Sequence, residues 1–404
     1  MIAQLEIDLG AIRRNVAALS ALVAPARYAG VIKSNAYGHG LLPVARALAG
    51  DVAAFCVYGF EEALALRESG IATPVLVLGP VAARDLDLAI ERNIAIALWD
   101  EGSFVRDATS AARARGRRLR VHAKIDTGVT RLGLDANRAA GTIASYLANE
   151  GIEVAGTFTH LAAAEELEST YTLAQLKRFE GALAPLAELL LERRVIRHAA
   201  ASAAAMLYPR LRLDLVRAGI ATYGIWPSPQ TLQAVRGTDA VGNAAPGAID
   251  LEAALAWTSE LVVVRDVEMG RSVGYGCTFH TARPSRIGVV PIGYAEGVPR
   301  AFSSGGFMLV AGRRAPVVGR ICMNMCFIDV TDVPQAHAGS RVTLIGRDGD
   351  EAIDANAFAE AAGTIGYEIV ARLPVDIPRS YRDDAANYAE PASAARSWVR
   401  THEV

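Results

Sequence analysis

The sequence predicts an α/β protein with two parts, an N-terminal (β/α)8 TIM-like barrel and a C-terminal domain that is predominantly β. Three observations support this prediction. Apolar runs alternate with amphipathic stretches in the first half, the pattern breaks near Ser228, and short β-rich runs fill the second half. At 404 residues the chain also exceeds the usual size of one hydrophobic core, so two domains are expected.

Eight apolar runs in the first half have the length and composition of buried strands. These runs are Tyr28–Lys33, Ala53–Tyr58, Pro74–Leu78, Asn93–Leu98, Leu119–Asp126, Val154–His160, Ile196–Ser202 and Asp214–Ala221. The first seven are followed by segments with a helical pattern, such as Leu41–Leu48 and Leu173–Arg193. Apolar runs that alternate with helices are typical of parallel strands, and eight βα units over roughly 200 residues predict a barrel. We place this barrel at residues 9–235.

The second half reads as a β domain at residues 245–385. A segment rich in Pro, Gly and Asn after Ser228 is interpreted as the interdomain connection. The expected strands are Leu255–Val264, Arg286–Ile292, Phe307–Val310, Ala315–Val318, Cys326–Val330 and Arg341–Ile345. One helix is expected near Ala355–Ala362. The N-terminal strand, residues 2–8, could join this domain, and the Ala- and Ser-rich tail, residues 386–404, is predicted to be peripheral.

Charge and composition exclude several classes of function. The formal net charge is -2, and the most basic block, Arg113–Arg120, fits a solvated helix end, so no nucleic-acid partner is expected. No signal peptide and no apolar stretch of membrane-spanning length is evident, so we expect a cytoplasmic protein without a membrane partner. The four cysteines suit a reducing compartment, and the pair Cys322 and Cys326 has no second cluster for a metal site.

Polar residues gather at the predicted C-terminal ends of the barrel strands. They are Lys33, Lys124, Asp126, His160, Ser202 and Arg217. Barrel enzymes place their chemistry at this end of the strands, so the sequence predicts a functional site there. A lysine that is desolvated at a strand end has a lowered pKa and can act as a nucleophile or a base.

The last two strands also carry the features of a phosphate site. Barrels often bind phosphate with the loops after strands seven and eight. Gly219 and Ile220 can offer backbone N–H groups, and Ser202 can donate its hydroxyl. A phosphorylated cofactor near a strand-end lysine indicates pyridoxal phosphate (PLP), which binds lysine covalently.

Eight ordered motifs in this chain resemble those of the alanine racemases. They are KSNAYGHG (Lys33–Gly40), HAKIDTGVTRLG (His122–Gly133), FTHLAAAEE (Phe158–Glu166), VRAGIATYG (Val216–Gly224), VGYGCTF (Val273–Phe279), PIGYAEGVPR (Pro291–Arg300), GRICMNM (Gly319–Met325) and TIGYEIVARL (Thr364–Leu373). The resemblance extends to about Tyr381. It implies a barrel with a β domain, PLP, a small amino-acid substrate, and a head-to-tail homodimer with shared active sites.

The resemblance also implies catalytic roles for residues of both halves. Lys33 would hold PLP and serve as one base, with Tyr275 of the partner subunit as the base on the opposite face. Two bases are needed because the Cα proton leaves from one face and returns on the other. His160 and Arg217 would form a chain near Tyr275, and Arg217 would face the pyridine nitrogen of PLP.

Further binding roles follow from the same resemblance. Arg131 would contact the phenolic oxygen of PLP and the substrate carboxylate, and Lys124 is a candidate for carbamylation, with an unmodified lysine paired to an acid as the alternative. The residues expected to bind the phosphate are Tyr37, Ser202, Gly219, Ile220 and Tyr367. Tyr294 and Met323 of the partner subunit would line the substrate entrance. No metal is expected.

Three positions depart from the usual family pattern. Ala201 and Asn324 stand where asparagine and aspartate are common, and Glu296 replaces an aspartate. The chain is therefore expected to interconvert L- and D-alanine for a bacterial cell wall, while serine or a larger amino acid stays open. A barrel-type PLP decarboxylase or aldolase and a PLP carrier protein are the rivals. Arg217 and the lack of a Cys/His cluster argue against the first two, and the β domain with Tyr275 argues against the carrier.

Overall fold

The computed structural model describes residues 3–99, 102–236 and 249–383, and the backbone of 386–389. Most of the predicted connection, residues 237–248, lies outside the described residues. Its first part is a helix, Pro229–Arg236, where the sequence showed no clear period. Pro229 begins this helix, and the Ser228 hydroxyl accepts a hydrogen bond from the Thr231 N–H at 3.1 Å, so local capping offsets the weak apolar pattern.

The first half forms a nearly closed barrel of eight parallel strands, which confirms the predicted fold class. The strands of this half are β1 (Gln4–Asp8), β2 (Arg27–Val31), β3 (Ala54–Val57), β4 (Val75–Val77), β5 (Ile94–Leu98), β6 (Leu119–Asp126), β7 (Leu134–Asp135), β8 (Ile152–Phe158), β9 (Ile196–His198) and β10 (Leu215–Ala218). All of them except β1 and the short β7 belong to the barrel. Their order around the barrel is β10-β2-β3-β4-β5-β6-β8-β9. Backbone hydrogen bonds close the gap between β9 and β10, from Arg217 N to Ala200 O and from Asp214 N to Arg197 O, both at 3.0 Å.

Helices cover the barrel and follow the apolar patterns of the sequence. They are α1 (Leu9–Val23), α2 (Leu41–Leu48), α3 (Phe60–Glu68), α4 (Leu86–Glu91), α5 (Ser103–Arg115), α6 (Ala139–Ala148), α7 (Thr170–Leu183), α8 (Ala187–Glu192), α9 (Ser202–Leu207) and α10 (Pro229–Arg236). In α1, Asp8 caps the first turn by accepting from Ala11 N at 2.8 Å. Its buried face repeats every three or four residues, from Ile12 through Val16 and Leu19 to Val23.

The second half forms one large sheet, a separate two-stranded sheet of β13 and β14, and two short helices. Its strands are β11 (Leu255–Glu260), β12 (Val263–Val267), β13 (Ser272–Val273), β14 (Phe279–His280), β15 (Ser285–Val290), β16 (Phe307–Val310), β17 (Arg313–Val318), β18 (Cys326–Asp329), β19 (Arg341–Asp348), β20 (Glu351–Ile353), β21 (Arg379–Asp383) and β22 (Ala386–Ala389). The helices are α11 (Ala355–Ala361) and α12 (Gly366–Ala371), of which the sequence pattern predicted only the first.

One predicted strand of the β domain differs from the structure. The run Leu255–Val264 is two strands, because β11 pairs with β19 whereas β12 pairs with β15. The chain changes partners at Leu261, whose N–H donates to Ser340 O at 2.9 Å. Within the predicted peripheral tail, the described residues 386–389 form β22, which pairs with β21 at the edge of the sheet.

The N-terminal strand lies in the β domain rather than in the barrel. β1 pairs antiparallel with β11 and parallel with β21, so both ends of the described chain meet in one sheet. Across the residues that the structure describes, no helix has the length and apolar character needed to cross a membrane.

Candidate active site

A cavity of about 1080 Å³ opens at the C-terminal ends of the barrel strands. Its lining includes most of the residues that the sequence predicted for the site. These are Lys33, Tyr37, Lys124, Arg131, His160, Ser202, Arg217, Gly219, Ile220 and Tyr367. Ala201, which departs from the usual pattern, lines the same cavity.

Lys33 begins a single left-handed turn rather than ending a strand. Residues Ser34, Asn35, Ala36 and Tyr37 have φ angles of 54°, 54°, 53° and 53°. A left-handed turn of L-residues costs about 1–2 kcal/mol per residue, so surrounding contacts must hold it. The Asn35 side chain supplies one such contact by accepting from Leu41 N at 2.8 Å.

Glu62 is a second support of this turn, and the sequence pattern did not indicate it. Its buried carboxylate accepts hydrogen bonds from Asn35 N at 3.4 Å and from Tyr58 N at 2.9 Å. Burial lowers the pKa of Lys33, Arg131 lowers it further, and the Glu62 charge opposes the shift. The amine at this position is therefore more readily neutral than an exposed lysine.

One carboxylate organises the loop that carries Arg131. Asp126 Oδ1 accepts from the N–H groups of Gly128, Val129 and Thr130 at 2.8, 3.0 and 3.2 Å, and Oδ2 accepts from Arg131 N at 3.0 Å. Burial alone raises the pKa of the Asp126 carboxyl, but these backbone hydrogen bonds outweigh it and the pKa is lowered. The loop thus has a fixed anchor at neutral pH.

Cations dominate the cavity, which favours anionic ligands. Lys124 lies in the cavity with Arg131, Arg217 and Lys33, and its pKa is lowered to about 8 by burial, then by the two arginines, while Asp126 opposes the shift. Among the described residues, no group of three or more His, Cys, Asp or Glu side chains is placed to hold a metal ion. A phosphate or carboxylate is the complementary partner for such a site.

Arg217 is held by a buried chain of two histidines. Its Nη1 donates to His198 Nδ1 at 2.6 Å, and His198 Nε2 lies 2.8 Å from His122 Nδ1. An arginine only donates, so His198 Nδ1 accepts and its Nε2–H donates to His122. Burial, followed by neighbouring positive charge, lowers the pKa of His198 far below its usual range and that of His122 to about 3. Both rings are therefore neutral, and the tautomer of each is fixed.

His160 and Arg217, which the resemblance links in a chain near Tyr275, line the same cavity. In the described part of the chain, the remaining hydrogen bonds of Arg217 go to the backbone oxygens of Thr159, at 2.9 Å, and Ala199, at 3.1 Å, and not to His160. The two side chains still interact through charge, because burial and then Arg217 lower the pKa of His160 to about 3. His160 is a neutral imidazole in this cavity.

Ser202 and Gly219 form a small polar cradle in the cavity. The Ser202 hydroxyl accepts from Gly219 N at 3.0 Å and from Ala221 N at 3.4 Å. A side chain on Gly219 would collide with the Tyr37 hydroxyl, so glycine is required for this close approach. Tyr367 also lines the cavity, where its hydroxyl donates to Glu165 at 3.3 Å.

Three predicted site residues lie outside the cavity, on the β domain. Tyr275, Met323 and Tyr294 are 70%, 57% and 44% exposed. The segments around the last two are joined, because Tyr294 N donates to Cys322 O at 3.1 Å and Ala295 N donates to Met323 O at 2.9 Å. One chain therefore does not bring these residues to Lys33.

Two of the departures from the family pattern contact each other. The Asn324 amide donates to Glu296 Oε1 at 2.7 Å, and Glu296 Oε2 accepts from Gly293 N at 2.8 Å. An aspartate at position 324 would place two carboxylates side by side. These two changes, which are 28 positions apart in the sequence, form one hydrogen-bonded pair beside Tyr294.

The fold and the site together define a class: a two-domain barrel enzyme whose pocket is centred on a lysine and is rich in cations. The profile of the alanine racemase N-terminal domain matches residues 7–227, and that of the C-terminal domain matches residues 254–381. The chain belongs to the alanine racemase family and is an isomerase of the amino-acid racemase type. This confirms the resemblance found in the sequence.

Individual relatives agree over nearly the whole chain. An alanine racemase of Symbiobacterium thermophilum is 40% identical over 383 residues, which cover 94% of this chain and 97% of that protein. A crystal structure of alanine racemase from D-cycloserine-producing Streptomyces lavendulae has a TM-score of 0.85 at 34% identity, covering 95% of this chain and 97% of that one. An alanine racemase of Bacillus anthracis with bound L-Ala-P has a TM-score of 0.84 at 32% identity, covering 96% of each chain.

Proposed function

We propose that this chain is a PLP-dependent racemase that interconverts L- and D-alanine through two bases on opposite faces of the substrate. The observation that carries the proposal is the position of Lys33, whose pKa is lowered, in one cavity with Arg217 and with the polar cradle of Ser202 and Gly219. Its biological use would be the supply of D-alanine for peptidoglycan in the cytoplasm.

The donor groups of the cavity fit PLP at both of its ends. Ser202, Tyr37 and the backbone at Gly219 and Ile220 would hold the phosphate, because all four line the cavity and the Tyr37 hydroxyl lies against the backbone of Gly219. Arg217 would donate to the pyridine nitrogen from a position fixed by His198. When bound, PLP supplies the electron sink that makes the Cα proton of an amino acid removable.

The chain's own residues would bind the substrate and move its proton. Arg131 would hold the substrate carboxylate, and Lys33 Nζ, whose pKa is lowered by burial, would take or return the Cα proton on one face. Tyr275 of the partner subunit would do so on the other face. The exposure of Tyr275, Met323 and Tyr294 in a single chain supports a homodimer in which they complete the cavity of the second copy.

The test of this function is a panel of L-amino acids incubated with the PLP-loaded enzyme in deuterium oxide. We expect L-alanine to give D-alanine that carries deuterium at Cα. Formation of another D-amino acid, such as D-serine, would show broader specificity, for which the alanine at position 201 leaves space in the cavity. Deuterium uptake without any change of configuration would contradict the two-base proposal.

Asp126→Asn is expected to weaken substrate binding through Arg131. An asparagine can keep three of the four hydrogen bonds, but its amide then points a donor at the Arg131 N–H, and losing a hydrogen bond to a charged group costs about 1.5–3 kcal/mol. We expect KM for alanine to rise about tenfold with a smaller change in kcat, in steady-state kinetics. Asp135→Asn is the matched control, since Asp135 accepts from Asn137 N in an exposed turn. Equal KM in both variants would contradict the role of Asp126.

Arg217→Glu is expected to increase the fraction of substrate that is converted to keto acid rather than racemized. An arginine donates a hydrogen bond but retains its proton, so the pyridine nitrogen beside it stays unprotonated, whereas a carboxylate favours the protonated ring. We expect racemization to fall about 10-fold to 100-fold and the fraction of turnovers that end as keto acid to rise. Both products are measured by chromatography, with the exposed Arg265→Glu as the control. An unchanged ratio of the two products would contradict this role.

Lys124 is expected to form a carbamate in a pH-dependent manner. Carbon dioxide reacts with the neutral amine, and burial lowers the pKa of Lys124 to about 8, so occupancy should rise as the pH rises through this value. The resulting anion would hold Arg131. Carbon NMR with isotopically labelled carbon dioxide should show one signal that Lys124→Ala removes and that replacement of the exposed Lys177 leaves unchanged. A signal that survives Lys124→Ala would contradict the assignment.

A further inference from the structure

Gln175, on the outer helix α7, joins two loops of the barrel mouth. Its side chain is fully buried, at 0% exposure. Oε1 accepts from Ala162 N at 2.9 Å, and Nε2 donates to His160 O at 3.1 Å and to Thr127 Oγ1 at 3.2 Å. The first two contacts lie in the loop after β8, and the third lies in the loop after β6, which carries Arg131.

The contacts of Gln175 continue into the cavity through two buried threonines. The hydroxyls of Thr127 and Thr159 lie 2.8 Å apart, and the backbone oxygen of Thr159 accepts from Arg217 at 2.9 Å. Every side chain in this path is buried. Hydrogen bonds in such surroundings are strong when complete, and removing one partner leaves buried groups unsatisfied.

Gln175 neither lines the cavity nor has a polar partner outside the two mouth loops among the hydrogen bonds of the described residues. Its buried neighbours on α7 include the apolar Leu176 and Phe179. Burying an amide in such a layer is unfavourable unless its hydrogen bonds are made. Here they are made entirely with the two mouth loops, so the amide sets the distance between those loops.

We propose that Gln175 is a positioning residue that fixes the loop of His160 relative to the loop of Arg131, and through Thr127 and Thr159 the orientation of Arg217. This inference rests on the proposed function for the roles of those three residues. Because Gln175 contacts neither PLP nor substrate in this arrangement, its influence is transmitted by hydrogen bonds alone.

The direct test is Gln175→Met, which keeps the length of the side chain and removes its hydrogen bonds. Misplacing reactive groups by about 1 Å can cost about 100-fold, so we expect kcat/KM for alanine to fall by about that factor. PLP affinity, measured by titrating the apoprotein and following absorbance, should weaken as well because Arg217 loses part of its support. Leu176→Met, a core substitution in the same helix, should leave both quantities near wild type.

A double-mutant cycle separates positioning from general loosening. Thr127→Val removes the hydroxyl that accepts from Gln175 and preserves the shape of the side chain. If both residues act through one path, the double variant should be little worse than Gln175→Met alone. Should Gln175→Met fail to fold, Thr127→Val and Thr159→Val provide the same readouts.

Two outcomes would overturn the inference. One is a Gln175→Met enzyme that unfolds at a lower temperature yet keeps wild-type kcat/KM and PLP affinity, and the other is strict additivity in the cycle. Failure of the proposed function would give a distinguishable result, because the wild-type enzyme itself would then not racemize alanine. The PLP titration would still show whether Gln175 orders the cavity.

Discussion

Replacing Lys33 with alanine is expected to abolish racemization, with a loss of at least about ten-thousand-fold in kcat. This variant removes the covalent anchor of the proposed cofactor and one of the two proposed bases. The absorbance of lysine-bound PLP should disappear from its visible spectrum. Polarimetry with L-alanine, together with the spectrum, measures both effects.

The fold should survive this substitution, which makes the result interpretable. The left-handed turn after Lys33 is held by Asn35 and Glu62, and neither contact uses the lysine side chain. Lys33→Arg is the sharper variant because it keeps a cation at the position but cannot supply a neutral amine at working pH. Lys177→Ala is the matched control on an exposed lysine. Residual racemization above about one percent in Lys33→Ala would contradict the assigned role.

Tyr275→Phe is the second variant with a large expected effect. Removing one general base costs about 100-fold to 10,000-fold, so racemization should fall by that range while PLP binding is retained. The tyrosine is 70% exposed in one chain, and its loss should leave the stability of the protomer unchanged. Exchange of the Cα proton with solvent should persist for one enantiomer, because Lys33 would still serve one face. Racemization at the wild-type rate would rule out Tyr275 as a base.

Mixing the two inactive variants tests whether the cavity is completed by a second copy. If each site combines Lys33 of one subunit with Tyr275 of the partner subunit, a mixed dimer of Lys33→Ala and Tyr275→Phe contains one intact site. Random reassortment makes about half of the dimers mixed, so the mixture should recover about a quarter of wild-type activity. No recovery after verified subunit exchange would contradict shared sites.

Much of the architecture was readable from local pattern. Alternating apolar and amphipathic segments predicted the barrel because buried parallel strands are apolar throughout and need helical crossovers. The same pattern placed Lys33, Lys124 and Arg217 at one end, since parallel strands present their C-terminal ends together. The pattern predicted a single strand over Leu255–Val264, whereas the structure has two. The change of strand partner at Leu261 does not alter the amino-acid composition of the run, so the sequence did not indicate it.

The residues that support the site through hydrogen bonds were harder to predict from the sequence than the residues at the strand ends. His122 and Lys124 are two residues apart on β6, so their side chains lie on the same face of the strand. This spacing was the available signal that polar side chains lie inside the barrel. Glu62 and Gln175 gave no such signal, because each lies in a helix whose pattern is compatible with ordinary surface or core placement. Their hydrogen-bond partners are distant in sequence, and only the folded chain identifies them.

By itself, the sequence determined the class of fold, the end of the barrel that carries the chemistry, and the lysine at its centre. These follow from periodicity and from residue type at strand ends, which are local properties. Tertiary structure alone decided that Lys33 opens a left-handed turn and that His198 orients Arg217. The physical reason is that hydrogen-bond partners and exposure depend on which distant segments meet in space, and no local pattern encodes that meeting.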